Sequence, residues 1–128
     1  MSVQLRTPLK IARGLGSARS GAHHFMVQRI TAVALLGLGL WIVWIALAML
    51  HMDYAAARAL LARPFNAVLM ISFLIAAFWH AQLGLQVVIE DYVHTRGLEL
   101  SAQIAIKFVC FLGAAASVLA VIRIALGS

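Results

Sequence analysis

Trp79-His80-Ala81-Gln82-Leu83-Gly84-Leu85-Gln86-Val87-Val88-Ile89-Glu90-Asp91-Tyr92 places a histidine inside a long apolar run and puts an acid and a tyrosine where that run stops. A helix rising about 1.5 Å per residue sets His80 about 16 Å along the axis from Asp91. The intervening steps of about 100° bring Asp91 back to within about 20° of His80. His80, Gly84, Val87 and Asp91 thus share one face. Gly84 lies one turn from His80 and carries no side chain, which leaves room for a flat, bulky group against the backbone. A deep imidazole, a gap beside it and a polar pair at the mouth suggest a buried cofactor below an interfacial site.

The flanking sequence makes this a membrane span. The 128 residues suit one domain, and they are 64% hydrophobic and 11% charged. Soluble domains lie nearer about 45–50% apolar and about 25% charged. The chain is therefore read as an all-α integral membrane protein. Its formal charge of +6 does not indicate nucleic acid, because the basic residues show no aromatic interleaving and cluster at the N-terminus and beside the spans. The single cysteine, Cys110, lies inside a span and fits a small packing residue. It permits no intrachain disulfide, CxxC site or CxxCH haem attachment.

Three spans follow from the charge-free runs. Residues 1–28 contain Arg6, Lys10, Arg13 and Arg19 and no acid, and read as a basic tail on the cytoplasmic or matrix side. A transit peptide is also Arg-rich, but this region leads straight into a span without a small-residue cleavage site. The first span is expected at 29–50; its charge-free part, 30–50, makes about 32 Å of helix, enough to cross the hydrocarbon core. An outer loop follows at 51–64, where Asp53 can cap a short helix lying along the membrane surface. Pro64 suits the first turn of the next helix. The second span is expected at 65–89 and an inner loop at 90–101, with Gly97 as a helix stop. The third is expected at 102–126, with Lys107 and Arg123 snorkelling from its short apolar core.

Arg6, Lys10, Arg13, Arg19, Arg29, Arg96 and Lys107 fall on one side of these spans, and Arg58, Arg63 and Arg123 on the other. The basic excess puts the N-terminus inside and the C-terminus outside.

Ionisable residues within spans are costly and usually functional. His80 is the one histidine well inside a span. A neutral imidazole there serves as a haem-iron ligand or as a hydrogen-bonding partner for a neighbouring helix, and spacing alone leaves both open. Bis-histidine haem ligation would need the second imidazole from another polypeptide. Tyr92 can donate to a quinone carbonyl and Asp91 can relay protons, although an aromatic-belt tyrosine beside a helix-end acid has the same pattern. Arg29 can pair with an anion such as a haem propionate, but on residue type alone a positive-inside anchor explains it better. His23 and His24 are neighbours, a poor chelate spacing on a helix, and His51 and His94 lie at the membrane edges.

His80, Gly84 and Asp91-Tyr92 together resemble the hydrophobic membrane-anchor family of succinate dehydrogenase, respiratory complex II. A second match is Ser20-Gly21-Ala22-His23-His24-Phe25, followed by Gln28-Arg29-Ile30-Thr31-Ala32 at the opening of the first span. The resemblance covers the chain from about Gly16 onward. It implies that His80 is one axial ligand of haem b, the other coming from a second membrane anchor, the cytochrome b polypeptide of the complex. It implies that Tyr92 bonds a ubiquinone carbonyl, that Asp91 lines the same region, and that Arg29 lies near the haem propionates and quinone pocket with His23. His24 receives no role. Succinate would be oxidised on a separate flavoprotein subunit, and electrons would reach quinone through an iron–sulfur subunit. The chain would then be a non-flavin enzyme subunit without a succinate-oxidising site. The resemblance places it in a bacterial cytoplasmic membrane, or alternatively a mitochondrial inner membrane. The competing reading is a non-redox membrane protein such as an assembly factor or transporter component.

The charge asymmetry yields a direct expectation: reporter fusions at residues 1 and 128 should report opposite sides, with residue 1 inside. Both ends on one side would remove the third crossing.

Overall fold

The computed structural model describes residues 21–127. The basic tail expected at the start of the chain lies outside them up to residue 20. Among the described residues there are four helices: α1 Gly21–Met49, α2 Tyr54–Ala62, α3 Pro64–Tyr92 and α4 Arg96–Leu126. Helices α1, α3 and α4 are each long and apolar enough to cross a membrane. All three are longer than the hydrocarbon core demands. The 29 residues of α3 make about 43 Å against a core of about 30 Å, so its ends project into the interfaces.

The local signals account for the helix boundaries. Asp53 caps α2, its Oδ1 accepting from the Ala56 amide at 2.7 Å. Pro64 opens α3 in the first turn, where its missing N–H costs nothing. Asn66 is buried and donates to the Leu60 carbonyl at 2.8 Å, which pins the surface helix α2 to the start of α3. Gly127 adopts φ 78, the left-handed conformation that closes a helix, and its amide returns to Arg123 and Ile124. The expected stop at Gly97 is not observed. Gly97 falls in the first turn of α4, because Thr95 already supplies the extended N-cap and the turn between α3 and α4 is only residues 93–95.

Helix α3 is central, packing against α1 on one side and α4 on the other. Two contacts define these seams. Thr31 of α1 meets His80 of α3. Phe78, about 200° around α3 from His80, lies against Gly113 of α4. Several polar residues of α3 find partners, as hydrocarbon requires. Ser72 bonds back to the Val68 carbonyl at 2.8 Å. Gln82 donates to Gln86 at 3.4 Å, and Gln86 donates to Glu90 at 2.9 Å. Gln103 of α4 reaches Glu90 at 3.5 Å and Glu99 at 3.4 Å, extending this polar ladder across the α3–α4 seam. Lys107 is exposed one turn beyond Gln103, in keeping with a snorkelling side chain.

The chain buries little of itself. In each long helix 6% of the most apolar window is buried, and Ile30, Val33, Leu36, Leu40 and Trp44 form an exposed apolar stripe on α1. Such a surface is stable against lipid or another membrane subunit.

A Cβ at Gly113 would lie 2.6 Å from Phe78 Cε1 and 3.0 Å from Cζ. Gly113→Ala should therefore force the ring aside or spread α3 from α4, lowering stability by about 1–3 kcal/mol. Combining it with Phe78→Leu should recover part of that loss. Denaturation midpoints of the four membrane-extracted proteins check this, and additive effects would show that the two residues do not meet.

Candidate cofactor and quinone site

The α1–α3 seam is where the deep polar chemistry gathers. His80 lies near the middle of α3 and is half-buried. Its Nδ1 is 3.0 Å from Thr31 Oγ1, a contact between residues 49 apart in sequence. Thr31 is buried, and its hydroxyl is also 2.9 Å from the Val27 carbonyl oxygen and 3.0 Å from that of Gln28. These two carbonyls can only accept, whereas the hydroxyl has one proton and two lone pairs. If that proton went to Nδ1, Oγ1 would face two carbonyl oxygens with no hydrogen between them. If it goes to a carbonyl, a lone pair remains for Nδ1–H. The second arrangement avoids both repulsive contacts, so His80 is protonated on Nδ1 and donates to Thr31. Nε2 then keeps its lone pair, the state required of a metal ligand. Among the described residues Thr31 is the one hydrogen-bond partner of this ring.

Gly84 stands one turn toward the C-terminal end of α3. A Cβ built there would meet nothing within 4 Å, in contrast to Gly113. The packing of this chain therefore does not require a glycine at 84, and the space beside it is open. A single imidazole with a free ring nitrogen would suit a haem that takes a further ligand from another polypeptide. It does not suit a metal site complete within the chain, since no group of three His, Cys, Asp or Glu side chains gathers among the described residues.

The other candidates lie apart from this pair. Asp91 and Tyr92 form the last turn of α3; both are exposed, Tyr92 at 79%. Arg29 is exposed and its guanidinium stacks over the Phe25 ring at 5.0 Å, a cation–π contact. Arg29 lies about 200° around α1 from Thr31, away from the His80 seam. His23 is exposed, whereas His24 is half-buried with an Nε2 that is buried and unpartnered among the described residues. Sequence pattern alone assigns neither Thr31 nor His24 a role. The available signal is positional: Thr31, like His80, is a polar residue in a charge-free run.

Three long apolar helices, a short fourth helix and a histidine within one of the apolar runs fit a membrane-anchor type of subunit. The chain belongs to the succinate dehydrogenase/fumarate reductase transmembrane subunit family, whose model matches residues 4–120. It is 37% identical over 121 residues to the succinate dehydrogenase hydrophobic membrane anchor subunit of Rickettsia bellii, covering 94% of this chain and 97% of that one. The corresponding subunit of Rickettsia conorii is 33% identical over 110 residues, covering 85% and 87%. That of Paracoccus denitrificans is 33% identical over 86 residues, covering 67% of each. The chain is thus a membrane-anchor subunit of an enzyme complex, and no catalytic centre is evident among its described residues.

Proposed function

We propose that this anchor serves a succinate:quinone oxidoreductase, with His80 as one axial ligand of a haem b and Tyr92 and Asp91 lining the site of ubiquinone reduction. The observation that carries the reading is the Thr31–His80 bond, which leaves Nε2 as a free lone pair at membrane depth. The open space at Gly84 supports a bulky planar group on the same face. Haem b would supply a one-electron centre there. The second axial ligand would come from the cytochrome b anchor, the other membrane polypeptide of the complex. The resemblance would also set Arg29 and His23 near the propionates, although Arg29 stands on the face of α1 turned away from Thr31.

Quinone reduction consumes two electrons and two protons. Tyr92 projects from the end of α3, where its hydroxyl can donate to a quinone carbonyl as negative charge develops on that oxygen. Asp91 beside it can pass protons. Electrons would arrive from the flavoprotein through the iron–sulfur subunit. Because both side chains are exposed in this chain, those partners would supply the other walls of the pocket. The basic asymmetry puts this end inside, in a bacterial cytoplasmic membrane or alternatively a mitochondrial inner membrane.

His80→Ala should remove most of the low-spin haem b absorption from the purified complex. An unchanged spectrum in an assembled variant would exclude this ligand, and a colourless wild-type complex without flavin or iron–sulfur partners would favour a non-redox role.

Tyr92→Phe should slow quinone reduction about fivefold, the effect of losing a hydrogen bond worth about 1 kcal/mol. Succinate oxidation by an artificial acceptor upstream of quinone should persist, as should haem content, since Tyr92 is about 18 Å along the helix from His80. Wild-type quinone kinetics in this variant would reduce Tyr92 to an aromatic anchor.

A further inference from the structure

We propose that Thr31 is the positioning residue of the haem site: its hydroxyl fixes the tautomer and rotation of the His80 ring, and thereby sets how tightly, and at what potential, iron is held through Nε2. The proposal rests on the reading of His80 as a haem ligand.

Three contacts converge on one oxygen. Thr31 Oγ1 lies 2.9 Å from the Val27 carbonyl oxygen, 3.0 Å from that of Gln28 and 3.0 Å from His80 Nδ1. The carbonyls belong to the preceding turn of α1, so their positions are fixed by the helix itself. They take the hydroxyl proton and aim a lone pair across the seam, and the ring must answer with Nδ1–H. A threonine in an apolar span commonly bonds back to its own helix. Thr31 does this and also uses the same oxygen to reach the neighbouring helix. It is buried, which keeps water from substituting for the hydroxyl. The ring is thus tied to α1 although it is carried by α3.

Two effects follow at Nε2. A ring that cannot rotate or change tautomer loses less freedom on binding iron. An Nδ1–H that donates to a neutral oxygen also leaves more electron density on the imidazole, making it a more basic ligand. A more basic ligand favours ferric over ferrous iron, which lowers the reduction potential. The hydroxyl touches neither the iron nor the quinone and acts only through His80.

The test uses the complete membrane complex, with haem content, haem potential and haem loss as readouts. Thr31→Val replaces the hydroxyl with a methyl group of similar size. The ferric-to-ferrous equilibrium should move about fivefold toward ferrous, a rise of about 40 mV at 59 mV per decade for one electron. Haem transfer to excess apomyoglobin should be about tenfold faster, in line with the loss of a bond to a metal-ligating histidine. Thr31→Ser keeps the hydroxyl and should restore both values. Should the added methyl, set against three polar atoms, prevent assembly, Thr31→Ala removes the hydroxyl without adding bulk and should show the same two shifts. A merely structural threonine would alter assembly but not the potential, and serine would have no special power of rescue.

An assembled Thr31→Val or Thr31→Ala complex with wild-type potential and haem retention would overturn the proposal, even if His80→Ala still lost its haem. A haem left intact by His80→Ala would instead overturn the underlying reading of the ligand.

Discussion

Hydrocarbon offers no partner to a polar atom, so every donor and acceptor carried into the membrane must find one within the protein. The contact between Thr31 Oγ1 and His80 Nδ1 is how this chain meets that demand at its deepest imidazole. It closes one ring nitrogen and orients the other. It also joins α1 to α3 at one fixed register. A seam built only from aliphatic side chains could slide, because lipid tails compete equally for the same contacts. A hydrogen bond at one register cannot slide without being broken.

The two sides of α3 solve different problems. Toward α4 the packing is close: Gly113 admits the edge of the Phe78 ring, and the ladder of Gln82, Gln86, Glu90, Gln103 and Glu99 crosses the seam between Gln103 and Glu90. Toward α1 the helix keeps an open position at Gly84. Glycine thus appears in two senses on this bundle. At 113 it is absent side-chain volume filled by the chain itself. At 84 a Cβ would meet nothing within 4 Å, so the chain's own packing leaves that position unfilled.

Much of this architecture is legible in the sequence because the signals are local. Charge-free runs locate the three long helices, Asp53 marks the start of α2, and Pro64 marks the start of α3. Two of the helices nevertheless run past the apolar runs at their N-terminal ends, α1 from Gly21 and α4 from Arg96. Hydropathy reports where lipid begins, whereas a helix continues wherever its backbone bonds remain favourable. Gly97 misleads for the same reason, since a glycine two residues after a cap is tolerated in a first turn. The depth of His80 and the place of Asp91-Tyr92 at the end of α3 can be counted from spacing. The role of Thr31 cannot, because it depends on which faces of two helices meet, and no periodicity within either helix contains that information. His24 likewise differs from His23 only through burial, which distinguishes neighbours that look alike in sequence.

Helix α3 runs without interruption from Pro64 to Tyr92, so His80 and Tyr92 ride on one rod. Their separation is a number of residues, and no hinge lies between them to absorb an error. Exchanging side chains along the intervening turns leaves that spacing untouched. Adding or removing a single residue would shift one group by about 1.5 Å and swing it by about 100° relative to the other. The register between the two groups therefore depends on the length of this segment rather than on which side chains lie along it. On the proposed reading of His80 and Tyr92, the gap between a centre inside the membrane and a reaction at its surface is recorded in the gene as a count of codons.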